Sequence, residues 1–391
     1  MTAFLSALLG RLPIGWLQLT HSPLRLVSAL AGVAFANVLV FVQLGIMGAL
    51  NNTILTTYEF FDADIMISAS DANTLTDGGN VARAHMFQAL GAQGVASAMP
   101  LYVRNVDWTD PAGTSVSLRA LGVDPNRSDY LVKGLRRGIR DLSRLDTMIV
   151  DRETRNVDAT LLSQASQANP LNIEVNGRAV SIIGSIEGGG GFGADGYALV
   201  SDQTFLRLVP SASAGAPKHL LLKIEPGAQA SRVIADVNDI LQDTGLRIRS
   251  VDEAAIEDQI YQTTERPTGV IFGFGVVIGI LVGIVIVYQV LSTDVADHLK
   301  EYATFKAMGY RQRFFLGVVM EEAVILGAIG FVPGIGIAII AYQMLETMTG
   351  LPMVLTTTTA ISVFVGTVAA CALSGAIATR RLAAADPADL F

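Results

Sequence analysis

Cysteine is almost absent from this sequence, since Cys371 is the only one among 391 residues. A single cysteine excludes an intramolecular disulfide and any metal site built from cysteine ligands. Whatever soluble part the chain contains must therefore be held together by an ordinary packed core.

Histidine is also scarce, and the four histidines fall in no catalytic pattern. They are His21, His85, His219 and His298. None of them lies in H-E-x-x-H, in G-x-S-x-G or in a zinc-ligand spacing. Nucleophilic catalysis needs a base beside a nucleophile, and no such pair is visible. We expect no catalytic, cofactor-binding or metal-binding residue in this chain.

Charged residues are fewer than usual, at 16% of the chain against about 25% in an average soluble domain. The net charge of −8 gives no reason to expect nucleic acid as a partner. The shortage is uneven. Residues 51–266 have an ordinary soluble composition, whereas charge almost disappears from residues 26–50, 270–291, 323–345 and 360–378. The sequence predicts a membrane protein with a soluble insert.

Each apolar stretch is long enough to cross a bilayer, because roughly 20 helical residues span the hydrocarbon core. The first stretch is too long for a cleavable signal peptide, and no A-x-A site follows it. The predicted organisation is an amphipathic segment at 1–25, a first span at 26–50, an α+β domain at 51–266 with an inserted lobe at about 110–210, a second span at 267–292, a loop at 293–313, a third span at 314–345, a short loop at 346–359, a fourth span at 360–379 and a tail at 380–391.

The distribution of lysine and arginine predicts the orientation. The short loop 346–359 has neither residue, whereas basic residues flank the other ends of the spans. They are Arg11, Arg25, Lys300, Lys306, Arg311, Arg313, Arg380 and Arg381. Short cytoplasmic loops are enriched in positive charge. We therefore expect cytoplasmic termini, a cytoplasmic loop at 293–313 and an extracytoplasmic domain at 51–266.

Glycines recur four residues apart in the second span, at Gly275, Gly279 and Gly283. Small residues at this spacing allow another helix to come close, so these positions are predicted to pack against a neighbouring span. The alternative is that glycine is simply common in membrane helices. In the third span, Pro333 is expected to kink the helix.

The soluble insert reads as an α+β domain with a repeated strand–helix–strand order. The predicted units are 64–69, 81–90 and 95–107, then 219–225, 229–241 and 246–250. The segment between them, at about 110–210, looks mostly β and is expected to form the inserted lobe. Residues 252–266 are expected to form a polar helical stalk before the second span.

Two segments of the insert allow more than one interpretation. The glycine-rich run 187–193 lacks the lysine of a P-loop and leads into a strand, so we expect a mobile hairpin or a contact loop. The basic run 127–155 could contact lipid headgroups or an anionic substrate, or form a solvated helical face.

Glu321 and Glu322 lie at the start of the third span. Acids inside a membrane helix are costly, and much less so near the interface. One interpretation is an interfacial position paired with Arg311 or Arg313. A second is a contact that couples the third span to the preceding loop, and a third is a proton relay.

The loop DVADHLKEYATFKAMGYRQR, residues 294–313, has helical spacing, and Gly309 can end the helix in a left-handed conformation. Its core KEYATFKAMGY resembles the signature after the second span of FtsX/MacB-superfamily permeases. The order of one span, a large domain and three spans also resembles that superfamily, as does the tail RRLAAADPADLF. FDADIMISAS, MIVDRETRN and HLLLKIEPGA are most similar to the DevC-type ABC exporter permeases, so the resemblance covers nearly the whole chain.

The resemblance implies a MacB-like fold and a homodimer that works by mechanotransmission with a separate, DevA-like ABC ATPase subunit. The loop would be the coupling helix that this ATPase holds. The coupling residues implied are Lys300, Glu301, Ala303, Phe305, Lys306, Ala307, Met308, Gly309 and Tyr310. The chain has no Walker A motif, so ATP and magnesium would bind to the partner, and this chain would not be an enzyme.

Further partners implied by the resemblance are an HlyD/DevB-like membrane fusion protein, a TolC-like outer-membrane channel and membrane lipids. The location implied is a bacterial inner membrane, with the large domain in the periplasm. Two relatives with the same architecture remain alternatives, namely FtsX-like regulators of cell-wall hydrolases and Lol-type lipoprotein-release permeases.

Overall fold

A computed structural model of the chain describes residues 14–109, 113, 115–136, 138–298, 301, 304 and 308–384. The helices are α1 (Ile14–His21), α2 (Pro23–Glu59), α3 (Ala84–Ala89), α4 (Ala159–Gln164), α5 (Asp202–Leu208), α6 (Ala230–Leu241), α7 (Val251–Ile260), α8 (Pro267–Asp297), α9 (Gln312–Thr349) and α10 (Thr357–Ala384). The strands are β1 (Ile65–Ala69), β2 (Val95–Thr109), β3 (Ser115–Val123), β4 (Thr147–Asp151), β5 (Leu171–Val175), β6 (Arg178–Ile186), β7 (Gly196–Ser201), β8 (His219–Ile224) and β9 (Leu246–Ser250).

Among the residues that the structure describes, four helices are long and apolar enough to cross a membrane, namely α2, α8, α9 and α10. Their most apolar windows have mean hydropathies of 2.1, 3.1, 2.5 and 2.0. Many of their large side chains are exposed, as a lipid-facing helix surface requires; examples on α8 are Ile271, Phe274 and Leu281. An α+β domain lies between α2 and α8. The predicted fold class is therefore confirmed.

Contacts divide the chain into two units. The helical unit comprises the described residues of Met1–Met47, Val270–Leu345 and Met353–Phe391. The sheet unit comprises Gly48–Gly269 and Glu346–Pro352. The last turns of α2, which continues to Glu59, and the end of α9 therefore group with the sheets.

The helical unit has a core formed by α1, α2, α8, α9 and α10. Buried members include Leu19, Val33, Val287, Leu291, Phe315, Val319, Leu326 and Cys371. Tyr342 on α9 donates a hydrogen bond to the Phe41 carbonyl of α2 at 2.5 Å. A buried tyrosine hydroxyl without a partner would be costly, and this bond removes that cost.

Four strands of the sheet unit form an antiparallel sheet in the order β2-β8-β1-β9. With α3 after β1 and α6 after β8, this is the ferredoxin-like β-α-β-β-α-β arrangement. Ile65 and Ile67 of β1 pack with α3 and α6, whereas Met66 points to the opposite face. Both faces of β1 are buried, which explains why its sequence is a continuous apolar run.

The other five strands, together with part of β2, form a closed six-stranded barrel that precedes β8 in the chain. Neighbours pair in the circuit β3-β7-β4-β6-β5-β2-β3. The barrel interior is filled by inward-pointing side chains, including Val106, Trp108, Leu118, Met148, Val150, Ile182 and Val200. The 15-residue strand β2 belongs to both sheets, so the inserted lobe begins inside β2 instead of after it.

The basic run 127–155 does not form a helical face in the part that the structure describes, which leaves out Arg137. It contains the 3₁₀ turns Ser128–Tyr130 and Ile139–Ser143, followed by β4. Several of its arginines instead make local ion pairs, such as Arg136 with Asp62 at 2.7 Å and Arg152 with Glu187 at 2.6 Å. The helical-face interpretation is therefore wrong.

The predicted stalk 252–266 is helical from Val251 to Glu265, and the helix ends before Arg266. Helix α7 begins with a capping box in which Ser250 and Glu253 bond each other's backbone. It ends at Ile260, and a π-helical turn, Tyr261–Glu265, follows. Arg266 is extended, with φ −72° and ψ 141°, because the proline at position 267 disfavours a helical conformation in the residue before it.

Candidate functional site

The loop after α8 is partly described. Lys300, Ala303, Phe305, Lys306 and Ala307, all predicted coupling residues, lie outside the described residues. Glu301, Met308, Gly309 and Tyr310 lie within them. The structure therefore gives the two ends of the predicted coupling helix.

The described residues at the end of this segment are Thr304, Met308, Gly309 and Tyr310. The Met308 amide donates to the Thr304 carbonyl at 3.0 Å, and Gly309 has φ 96°. A side chain is strained in this left-handed region, so glycine suits the position. Met308 is 61% exposed and Tyr310 is 46% exposed. These two side chains are available to a partner at this end of the helical unit.

An arginine links the first turn of α2 to the last turn of α8. Arg25 lies 3.6 Å from Asp294 and 2.5 Å from Asp297. His298 approaches Asp294 to 3.9 Å and Glu301 to 3.1 Å. Asp294 is buried, and a buried carboxylate needs a charged or hydrogen-bonding partner. This ion-pair group joins α2 and α8 directly before the loop.

Glu322 is fully buried and does not pair with Arg311 or Arg313 anywhere in the described part of the chain. Its side chain packs against Gly15 of α1 and lies beside Asp294. The expected interfacial ion pair is therefore absent for Glu322, because its side chain faces α1 and α8. Glu321 is 9% exposed. Glu322 and Arg25 both lie beside Asp294, and the coupling role of Glu321 and Glu322 stays a prediction.

The three glycines of α8 face α2 at close range. A Cβ added at Gly279 would lie 3.0 Å from a methyl group of Val40 and 3.5 Å from its backbone nitrogen. The contacts are Gly275 with Gln43, Gly279 with Val40, and Gly283 with Ala36. The G-x-x-x-G spacing thus coincides with a close helix–helix contact.

The glycine-rich loop 187–193 is packed within the sheet unit. A Cβ at Gly191 would overlap the side chain of Thr53 on α2. Arg155 donates to the carbonyl oxygens of Gly191 at 2.7 Å and Ala194 at 3.2 Å, and pairs with Asp195 at 3.0 Å. Arg155 also donates to the Thr349 carbonyl at the end of α9, at 3.0 Å. One side chain therefore connects the loop to the segment that precedes α10.

Asp151 supports the same loop from β4. Its Oδ1 accepts hydrogen bonds from the amides of Glu153 at 3.0 Å and Gly188 at 3.1 Å. The side chain is fully buried. Burial raises the pKa of Asp151 to about 6, although these amide bonds act in the opposite direction.

A serine and a histidine meet inside the sheet unit, but in no catalytic arrangement. Ser68 Oγ lies 2.9 Å from His219 Nδ1, and His219 Nε2 lies 2.8 Å from the Leu75 carbonyl. A carbonyl only accepts, so Nε2 carries the proton and Ser68 donates to Nδ1. Both side chains are fully buried, and burial lowers the pKa of His219 to about 4. The pair is a satisfied element of the core.

Metal-binding groups of three or more histidine, cysteine or carboxylate side chains do not occur among the described residues. Sequence reasoning missed Arg155 and Asp151 as organising residues. The signal for Asp151 was an acid at the end of the apolar run 147–150. Arg155 lies in MIVDRETRN and ends the basic run 127–155, but neither pattern indicated its partners, which are distant in sequence.

Comparison with known proteins gives one family match within the chain. Residues 273–387 match the family model of the FtsX-like permease C-terminal domain. This segment takes in most of α8, the loop, α9 and α10. No curated protein matches the chain.

Two of the solved structures with similarity to this chain are described as periplasmic or extracellular domains. The periplasmic region of MacB from Actinobacillus actinomycetemcomitans is 13% identical, with a TM-score of 0.35, over 53% of this chain and 96% of that one. The extracellular domain of the noncanonic ABC-type transporter YknZ from Gram-positive bacteria is 13% identical, with a TM-score of 0.34, over 48% and 98%. From α8 to α10, the chain is similar to an FtsX-like permease.

Proposed function

We propose that the chain is the membrane permease subunit of an ABC-type exporter, driven by a separate ATPase subunit. The observation that carries the proposal is the match of residues 273–387 to FtsX-like permeases. The sheet unit between α2 and α8, and a loop bounded by Gly309 and the Arg25 ion pairs, support it.

The mechanism proposed is mechanotransmission in a homodimer. The ATPase grips residues 300–310 and moves them when it binds and hydrolyses ATP. The ends of α2 and α8 receive that motion together, because Arg25 joins them to each other. ATP and magnesium bind to the partner, and this chain hydrolyses no ATP itself.

More specifically, we propose that the chain is a DevC-type permease. The partners are then a DevA-like ATPase, an HlyD/DevB-like adaptor and a TolC-like channel, and the chain lies in a bacterial inner membrane with the sheet unit in the periplasm.

Co-purification tests the partners. The tagged chain is isolated from native membranes in mild detergent, and the proteins that accompany it are identified by mass spectrometry. We expect an ABC ATPase and an HlyD-like adaptor in fixed ratio, with ATP hydrolysis only when the ATPase is present. Recovery without any ATPase contradicts the proposal. An ATPase with a cell-wall hydrolase, or with a lipoprotein chaperone, assigns the chain to FtsX-like or Lol-type relatives instead.

Two substitutions test the coupling segment, one that reverses a charge and one that disrupts the helix end. Lys306→Glu and Gly309→Pro are expected to reduce ATPase recovery at least about tenfold while the chain still inserts, because a charge-assisted contact and a helix end are removed. Lys133→Glu is the matched control, since Lys133 is exposed in the sheet unit. Normal ATPase recovery with both loop variants would exclude residues 300–310 as the docking segment.

A further inference from the structure

The sheet unit contains a polar pocket of about 350 Å³ that none of the features above uses. Its lining combines the last turns of α2, the segment after β1, strands β2 and β3, and the end of α7 with Arg266. The polar lining residues are Thr57, Tyr58, Thr74, Thr76, Arg104, Asn105, Arg119, Asp258, Gln262 and Arg266. Three guanidinium groups and a single carboxylate therefore face one cavity.

The carboxylate is already occupied by uncharged donors. Asp258 Oδ2 accepts from the Tyr58 hydroxyl at 2.9 Å and from the Leu75 amide at 3.0 Å, and Oδ1 accepts from Gln262 at 2.6 Å. Burial raises the pKa of Asp258, which favours its uncharged form. The hydrogen bonds of Asp258 thus come from uncharged donors, although the nearby Arg119 charge acts to lower its pKa.

Two of the three arginines have no carboxylate partner within 4 Å among the described residues. Arg266 pairs with Asp77 at 3.2 Å. Arg104 donates to the Ser211 hydroxyl at 3.1 Å and to no other side chain that the structure describes. Arg119 has a buried Nε with no hydrogen-bond partner in the described part of the chain. The guanidinium groups of Arg104 and Arg119 therefore meet no carboxylate within the described part of the chain, which suits them to an anion that the protein itself does not supply.

The position of Arg119 depends on a glycine. A Cβ at Gly193 would overlap the Arg119 guanidinium. Asn105 donates to the Gly193 carbonyl at 2.6 Å, which holds this backbone against the pocket. Glycine at 193 thus leaves the space that the guanidinium occupies.

We propose that this pocket binds an oxyanion, of the phosphate-ester or carboxylate kind, carried by a small polar molecule or by a lipid headgroup. Arginine forks match the paired oxygens of both groups. Threonine hydroxyls and the amides of Asn105 and Gln262 suit a polar body attached to the anion, and Ile54 and Leu75 give one apolar wall. The volume lies within the range of small-molecule sites. The inference does not depend on the proposed transport function.

Calorimetric titration of the full chain in a neutral detergent, with glycerol 3-phosphate at constant ionic strength, tests the site. We expect saturable binding of one molecule per chain. Arg119→Gln and Arg104→Gln should each weaken binding about tenfold or more, because each removes a charge-assisted hydrogen bond. Arg178→Gln is the matched control, since Arg178 is exposed on β6 and should bind normally.

Folding of each variant is checked by the emission of Trp108, which is fully buried in the barrel, in a Trp16→Phe background. Arg104 is exposed, so its variant keeps the test valid if Arg119→Gln unfolds. No saturable binding in the millimolar range, or equal loss with Arg178→Gln, would overturn the proposal.

Nanodiscs distinguish the two sources of the oxyanion. Loss of glycerol 3-phosphate binding in discs that contain phosphatidylglycerol, but not in discs of phosphatidylcholine alone, assigns the pocket to an anionic lipid headgroup. Equal binding in both kinds of disc assigns it to a soluble anion.

Discussion

Gly191 and Thr53 show how a single residue determines whether the glycine-rich loop can pack against α2. Because a Cβ at position 191 would meet both the Cβ and the methyl group of Thr53, rotation of the threonine cannot make room. Gly191→Ala should destabilise the sheet unit by about 1–3 kcal/mol, the usual cost of overpacking. Gly184→Ala is the control, since its added Cβ would lie 3.6 Å from Ile149, an ordinary contact. Thermal unfolding followed through Trp108 in a Trp16→Phe background measures both variants, and equal stability would contradict the packing assigned to the loop.

The sheet unit should lose stability as the pH rises through the range in which the Asp151 carboxyl loses its proton. Its pKa is raised to about 6 in the folded protein, so the folded state holds the proton more tightly than the unfolded state. Stability from this group is present at low pH and is lost between about pH 4 and pH 6, with a slope of up to about 1.4 kcal/mol per pH unit. Asp151→Asn should remove that slope.

The quantity to measure is the difference in stability between the Asp151→Asn variant and the parent at each pH, because His219 changes the stability in the opposite direction. Its pKa is lowered to about 4, so the unfolded state binds the proton more tightly and stability rises with pH over a similar window. Trp108 unfolding midpoints at several pH values give both profiles. Parallel profiles for variant and parent would show that the Asp151 carboxyl titrates normally.

At the scale of elements, α8 and α2 depend on small side chains for their close contact. Gly279→Leu should force the two helices apart, because its Cβ position lies 3.0 Å from Val40. Gly273→Leu on the same helix is the control, since nothing lies within 4 Å of its Cβ. We expect the midpoint of thermal aggregation in detergent to fall by several degrees for Gly279→Leu only. A similar fall for both variants would mean that apolar bulk alone is responsible.

The sequence predicted some elements better than others, for physical reasons. Strand–helix–strand units such as β8, α6 and β9 have clear periodicity. Strand β4 is a five-residue segment within the basic run 127–155, and so short an apolar segment shows no periodicity. Closure of the barrel depends on β2 pairing with both β3 and β5, and local patterns do not encode such long-range pairing.

At the scale of the whole molecule, the orientation of the chain in the membrane can be tested by cysteine labelling, because the sequence has a single cysteine to remove. A Cys371→Ala background receives one cysteine, either Gln167→Cys in the sheet unit or Met308→Cys in the loop, and both positions are exposed. We expect a membrane-impermeant maleimide to label Gln167→Cys in intact spheroplasts, and Met308→Cys only after permeabilisation, because the basic loops are predicted to be cytoplasmic. The reverse pattern would invert the topology.

The candidate sites were less predictable than the membrane organisation. Apolar length alone indicated four spans, whereas the contacts of Arg155 join residues up to 194 positions apart. The oxyanion pocket likewise collects arginines from β2, β3 and the end of the α7 segment. Such sites exist only after folding, and no local motif marks their members.

The contacts of Arg155 also determine which positions can change in evolution. Three of its acceptors, at Gly191, Ala194 and Thr349, are main-chain carbonyls, which every amino acid provides. The segments on either side of this contact can therefore accumulate substitutions at Ala194 and Thr349 without loss of the bonds, while position 155 requires a guanidinium that reaches them all. Divergent relatives of this protein should retain arginine here even where the surrounding loops have little sequence in common.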